Sequence, residues 1–316
     1  MNYQHKGFRN VTALLQLAAV CTMAVGLATA QVAQKAHRPQ SCLEPPNGTM
    51  VAWYPFDEPI GYAGPSSANI ATQNAAAWDS TPPTPVAGLV GNALQFDGLS
   101  NYIDSPDSIV TNFGPGSATP FNGSCGFSAN AGDFSTCQGN FSIDVWVNLT
   151  GPLDVYPADI VETIVDKRDA TPVGYSFGLY SNTAYSNNTY IILQLGDVAN
   201  SYTTYRSAAL TPAQLTVGVW HHLAVTVNRS TPFPPPTMSF YFDGAPANPG
   251  GLPVPLTQIG SLVNNQVLRI GANGPMNGPI YYFYGDLDEL EIYNRALTTP
   301  EVANIFGHGA SGKCKP

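Results

Sequence analysis

Gly285-Asp286-Leu287-Asp288-Glu289-Leu290-Glu291-Ile292-Tyr293-Asn294-Arg295-Ala296-Leu297 decides the fold, and Thr298-Thr299-Pro300-Glu301 completes the stretch. Leu287 to Tyr293 is short, rich in apolar residues and predicts a β-strand. Directly after it, Thr298 and Glu301 have the spacing of a capping box, with proline in the first turn. A helix of about two turns is expected through Val302, Ile305 and Phe306, ended by Gly307 and Gly309. Arg295, just past the strand, is expected to pair with Asp288 or Glu289. No other credible helix occurs in the chain.

Outward from this stretch the sequence is a series of short strands. Phe141-Ser142-Ile143-Asp144-Val145-Trp146-Val147 alternates, with Phe141, Ile143, Val145 and Val147 on one face. In Trp220 to Asn228, Leu223, Val225 and Val227 share a face. Ser239 to Phe242 runs into Asp243-Gly244, a strong turn signal. Val51–Phe56, Glu162–Lys167, Tyr175–Tyr180, Tyr190–Leu195 and Val267–Ile270 supply further strands. Asn92–Phe96 and Asn101–Asp104 read as a hairpin about Asp97-Gly98. Residues 57–86 and 105–140 read as long loops, and 231–237, rich in proline, as a stiff hairpin loop. The 30 glycines and 28 prolines, with only 10% charged residues, suit strands and turns rather than helices. The expectation is an all-β sandwich of two antiparallel sheets with one short C-terminal helix.

The N-terminus predicts export. Lys6 and Arg9 precede an apolar run from Val11 to Ala28, and Ala28-Thr29-Ala30 has small residues where a signal peptidase cuts. Residues 1–30 therefore read as a signal peptide cleaved near Ala30-Gln31, residues 31–41 as a flexible leader, and 42–316 as the domain. Lipidation at Cys21 is disfavoured by bulky Val20 and by the apolar run continuing beyond it. A retained signal anchor is the other alternative; no later stretch is long and apolar enough to span a membrane. Without Lys6 and Arg9, ten basic residues face twenty-one acidic ones, an excess that argues against a nucleic-acid partner. Four cysteines remain and allow three connectivities. Local closure of the loop between Cys125 and Cys137 costs least, which leaves Cys42 with Cys314 to tie the domain ends together. Cys-x-x-Cys spacing, which zinc would favour, is absent.

Taken together, these motifs resemble the laminin-G-like, concanavalin A-like jelly rolls. Phe141–Val147 resembles their "F-T-I-x-A-W-V" strand, Trp220–Thr226 their "W-H-H-V-A-V-T" strand, and Phe240–Gly244 their "Y-V-D-G" hairpin. Leu268-Arg269-Ile270-Gly271 is similar to "L-x-I-G". Gly285–Leu297 is similar to "G-x-I-D-E-V-x-I-Y-N-R-A-L" almost throughout. Val51–Asp57 and Gly91–Gly98 match the opening strands, so the likeness covers about residues 42–314. The resemblance implies a jelly-roll sandwich acting as a recognition module, with Trp53, Trp146 and Trp220 as anchors of the core.

Three kinds of chemistry compete on this scaffold. Glucanases of the same fold carry Glu-x-Asp-x-(x)-Glu on one strand, so an enzymatic reading as glycoside hydrolase or lyase would use Asp286, Asp288 and Glu291. Here the first acid is Asp286, one methylene short, and the Tyr-Asn-Arg-Ala-Leu that follows belongs to the non-catalytic branch. The resemblance also implies a structural Ca²⁺ at the rim, for which Asp57 and Asp288 are the candidate ligands. His221 and His222 are adjacent on a strand, point to opposite faces and cannot chelate together. A serine-nucleophile elbow, a phosphate loop and a dinucleotide fingerprint are absent. Tyr202, Tyr205, Tyr281, Tyr282, Phe283 and Tyr284 are candidates for sugar stacking or for packing. The expectation is a secreted, non-catalytic module that binds carbohydrate, with an adhesive module for an extracellular protein as a further alternative.

Overall fold

The computed structural model describes residues 42–46, 49–72, 74–79, 81–114, 139–151, 160–181, 188–197, 200–229, 235–257, 260–274 and 281–316. The expected signal peptide, the leader, Cys21 and the Cys125–Cys137 pairing lie outside these residues. Cys42–Pro316 forms one compact unit. Its strands in chain order are β1 (Met50–Tyr54), β2 (Ser66–Asn69), β3 (Asn74–Trp78), β4 (Thr84–Ala87), β5 (Asn92–Asp97), β6 (Ile103–Ser105), β7 (Phe141–Leu149), β8 (Ile160–Arg168) and β9 (Gly174–Ser181). There follow β10 (Thr189–Asp197), β11 (Asn200–Arg206), β12 (Trp220–Asn228), β13 (Thr237–Phe242), β14 (Ala245–Pro246), β15 (Val254–Pro255), β16 (Leu268–Ile270) and β17 (Tyr284–Tyr293). The helix α1 (Thr299–His308) comes last.

These strands form two antiparallel sheets. The first runs β14-β13-β12-β7-β17-β5-β4, with β1 also paired to β17 and β15 to β13; the second runs β11-β10-β9-β8-β16-β6-β3-β2. Alternation explains how they pack. Phe141, Ile143, Val145 and Val147 of β7 and Leu223, Val225 and Val227 of β12 face Tyr175, Phe177 and Leu179 of β9 and Ile191, Leu193 and Leu195 of β10. At one end Phe113 stacks on Phe141 at 4.5 Å between ring centres, and Tyr175 lies 5.4 Å from both.

A second, smaller core lies on the outer face of the first sheet. Val302 and Ile305 of α1 pack there with Leu297 on Ala224, Tyr241 and Tyr293. The capping box is formed, with Glu301 reaching back to the Thr298 backbone. The helix is longer than the expected two turns because Gly307 lies within it and Gly309 is its C-cap. Asp243 and Gly244 both have positive φ, 48° and 72°, which makes a tight hairpin between β13 and β14. A side chain at Gly244 would also strike Phe306 of α1 at 2.8 Å.

Four expectations are corrected. Residues 57–86 contain β2, β3 and β4, which the sequence hid because their alanines and serines carry little apolar signal. The 92–104 hairpin does not form, since β5 and β6 belong to different sheets. Asp97 instead accepts the amides of Leu99, Ser100 and Asn101 and turns the chain across the sandwich. The inter-sheet core does not include Trp53, Trp146 or Trp220, whereas Trp78 belongs to it. Trp146 stacks on Phe306 outside the first sheet, and Trp220 is half-buried at the start of β12. Finally, Arg295 pairs with Glu301 through both carboxylate oxygens, at 2.8 and 2.6 Å, rather than with Asp288 or Glu289.

Cys42 and Cys314 form a disulfide, 272 residues apart in sequence. Around it, Leu43 donates to Gly312 and accepts from Cys314, each at 2.9 Å, so the two ends of the domain pair as a short parallel clip. Cys314→Ser is expected to lower stability by about 2–5 kcal/mol, read as a drop in Tm and in the denaturant midpoint. An unchanged midpoint would show that the clip holds without the bond.

Candidate functional site

The acidic strand β17 passes through the middle of the first sheet. Its pairing with β7 slips by one residue between Asp288 and Glu291, a β-bulge with Glu289 at φ 50°. The extra residue keeps Leu287, Leu290 and Ile292 in the inter-sheet core. It also turns Asp286, Asp288 and Glu291 to the outer face together, although strict alternation would have separated Glu291 from the other two. The three candidate acids therefore share a face.

That face is covered. Glu291 is fully buried and accepts from Lys313 Nζ at 2.6 Å and from the Tyr293 hydroxyl at 3.2 Å. Burial, reinforced by Asp144 opposite it, pushes the Glu291 carboxyl well above its usual range. Burial works to lower the Lys313 ammonium, but the charges of Glu291 and Asp144 outweigh it and raise its pKa. Glu289 accepts from Trp53 Nε1 at 2.8 Å and pairs with Lys315 at 2.7 Å; burial, with the Glu291 charge, lifts it to about 7. Asp288 accepts the amides of Leu89 and Val90, both at 2.8 Å, and burial lifts it to about 8. Asp286 is bound to Gln95 at 3.1 Å and Asn148 at 3.0 Å. Each acid thus has its own structural partners, and Lys313 and Lys315 of the last segment meet the charge of two of them.

The other candidates fall out as follows. Asp57 accepts the Asn92 amide at 3.1 Å and pairs with Lys315. Asp57 thus accepts an amide and an ammonium, whereas Asp288 accepts both its amides on one oxygen and its Oδ1 has no hydrogen-bond partner. Among the described residues no group of three or more His, Cys, Asp or Glu is placed to hold a metal. His221 and His222 do point to opposite faces. His221 Nδ1 meets Asp243 at 3.0 Å while its Nε2 accepts the Thr216 amide. His222 lies between Trp146 and Phe306, and burial lowers it to about 3, so it is neutral. Phe283 and Tyr205 are packed, whereas Tyr202, Tyr281 and Tyr284 are exposed.

Sequence reasoning missed Asp144, Glu289, Lys313 and Lys315 as partners in this cluster. Asp144 alternates with Val145 and Trp146, and the large apolar Trp146 on the same outward side was the available sign that this face is covered. It also missed a cavity of about 480 Å³ beside the cluster, where the chain leaving β1 meets β2, β3 and Lys315.

Residues 121–303 match the family model described as the concanavalin A-like lectin/glucanases superfamily. The chain belongs to this superfamily. Among solved structures it is similar to the binding domain of Paraclostridial Mosquitocidal Protein 1, with 14% identity, 82% of this chain and 52% of the other covered, and a TM-score of 0.54. It is also similar to the binding domain of botulinum neurotoxin DC in complex with rat synaptotagmin II (12% identity, 83% and 52% covered, TM-score 0.53). A third is the botulinum neurotoxin serotype D ligand binding domain in complex with N-acetylneuraminic acid (11%, 82% and 50%, TM-score 0.50). The chain spans about half the length of these structures, and at such identities the likeness establishes the jelly-roll fold. No curated protein sequence matches the chain. Among the described residues no helix is long and apolar enough to cross a membrane.

The buried acids give the domain a defined pH response. Asp288, Glu289 and Glu162, raised to about 8, 7 and 8, hold protons more tightly folded than unfolded. Their contribution is full below the unfolded carboxylate range and is lost as pH rises through the folded values. His222, lowered to about 3, works in the opposite sense and is lost below its unfolded value. Asp97 and Glu301, both held near 2, lose their contribution in acid. Tm is therefore expected to peak at about pH 4–5, near the unfolded carboxylate values, and to fall progressively towards about pH 8. Asp288→Asn, which can still accept both amides, should flatten the alkaline limb; a wild-type Tm that rises over that limb would contradict the assignment.

Proposed function

We propose that the protein is a secreted, non-catalytic recognition module that binds carbohydrate. The observation that supports this most is the fate of the strand acids. Asp286, Asp288 and Glu291 share a face, yet each is engaged by the chain itself, and Glu291 lies under Lys313. A retaining glycosidase needs two carboxyl groups open to a sugar on either side of the scissile bond. A binding module needs only a concave surface with an apolar wall and a few polar groups. The similar solved structures include one in complex with N-acetylneuraminic acid and one in complex with synaptotagmin II. Within that pair the sugar is favoured by the cavity's size, which suits a small ligand rather than a protein surface.

A polysaccharide panel assayed for both binding and turnover tests the reading. The wild type is expected to bind at least one polysaccharide and release no reducing ends. Hydrolysis that Glu291→Gln abolishes would replace this reading with the enzymatic one. Capture of a cell-surface protein, with every sugar on the panel ignored, would replace it with the adhesive one. Chelation of calcium tests the structural ion: a marked fall in Tm on chelation would place it in the domain, and an unchanged Tm would remove it.

A further inference from the structure

We propose that the cavity beside β1 is the sugar subsite of this module, taking one neutral pyranose with its apolar face on Tyr62 and its hydroxyls on Asp57 and Glu58. The proposal rests on the carbohydrate reading above and assigns it a place. Three separate pieces of chain build the cavity: residues 55–62, the β2–β3 ribbon, and Lys315 of the last segment. A volume of about 480 Å³ lies within the range of small-ligand sites.

The walls have the two-sided chemistry a pyranose requires, an apolar C–H face and a rim of hydroxyls. Pro59, Ile70 and the ring of Tyr62 supply the apolar part. Tyr62 is more than a third exposed, yet its ring is held in place. It meets Trp78 edge to face at 5.5 Å, and Trp78 is itself held by Ser67 through a 2.7 Å hydrogen bond. Behind the ring is Gly64, where any side chain would begin 1.9 Å from the ring carbon. The aromatic wall is therefore preorganised before any ligand arrives.

Asp57, Glu58 and Lys315 supply the polar part. Phe56, at φ 55° and fully buried, turns the chain sharply out of the sheet and delivers the two acids to the cavity. Asp57 is fixed by the Asn92 amide and Lys315, and the Glu58 carbonyl accepts from Asn92 Nδ2 at 3.1 Å. The Glu58 carboxyl lines the cavity, is raised by burial and is met by the Ser67 side chain and the Ala68 backbone, so a sugar hydroxyl there would share it with them. Two carboxyl groups against one ammonium disfavour an acidic sugar, and the Lys315 ammonium in the wall disfavours a simple cation.

The test is an array of neutral gluco-, galacto-, manno- and xylo-oligosaccharides, with calorimetric titration of the best binder against variants of the full chain. Tyr62→Ala and Glu58→Gln are each expected to weaken binding by about tenfold or more, the scale of one lost contact. Tyr62→Phe should retain it, as should Tyr202→Ala on the distant strand β11. Should Tyr62→Ala fail to fold, Glu58→Gln and Tyr62→Phe decide the matter. Unchanged affinity in Tyr62→Ala and Glu58→Gln would overturn the subsite while leaving the carbohydrate reading intact. A wild type that binds no sugar on the array would overturn both, and tighter binding of an acidic sugar than of any neutral one would overturn the proposed wall chemistry.

Discussion

The Lys313 ammonium, buried against Glu291, is the contact on which the outer half of this domain depends. A carboxylate in the middle of a covered sheet face cannot remain charged without a partner, and removing the partner is far costlier than never having had the charge. The partner comes from the far end of the domain. Lys313 sits between Gly312 and Cys314, and so the disulfide to Cys42 and the pairing with Leu43 both serve to deliver it. Lys315, two residues on, meets Glu289 and Asp57 in the same way. One short segment thereby closes the domain, neutralises the acidic strand and forms a wall of the cavity.

This arrangement explains how the acids of one strand can gather on one face of a fold shared with glucanases and yet each be engaged by the chain itself. The bulge at Glu289 gathers the acids onto one face, as an enzyme would need. The covering segment then uses that gathering for stability instead. Four buried carboxyl groups (Asp144, Asp288, Glu289 and Glu291) face two ammonium groups, and burial raises the pKa of Asp288, Glu289 and Glu291. Burial thus does to these groups what an active site also does, and a raised carboxyl alone does not distinguish the two. Access does, and access here belongs to the neighbouring cavity.

Much of the framework was legible in the sequence. β12 runs Trp220–Asn228 as its alternation requires, and the capping box at Thr298 and Glu301 marks the start of α1. Those signals are local, carried by residues a few positions apart. What the sequence concealed was long-range or weakly apolar. β2 and β3 consist largely of serine, alanine and asparagine; β3 takes its place from pairing with β6, and β2 from pairing with β3, rather than from their own propensity. The cluster joins Glu291 and Lys313, 22 positions apart, to Asp144 more than a hundred positions earlier, and no local spacing rule reaches that far. Trp146 was visible as an anchor but not the face it anchors, because a sheet covered on both sides offers apolar positions on each.

A double-mutant cycle between Lys313 and Glu291 tests the central claim most directly, through the denaturation midpoints of Lys313→Met, Glu291→Gln and the pair together. If Glu291 is a structural acid neutralised by Lys313, Lys313→Met alone should cost about 3–5 kcal/mol, and adding Glu291→Gln should restore much of that loss. Small, additive effects of the two changes would contradict it and would leave Glu291 free for another role.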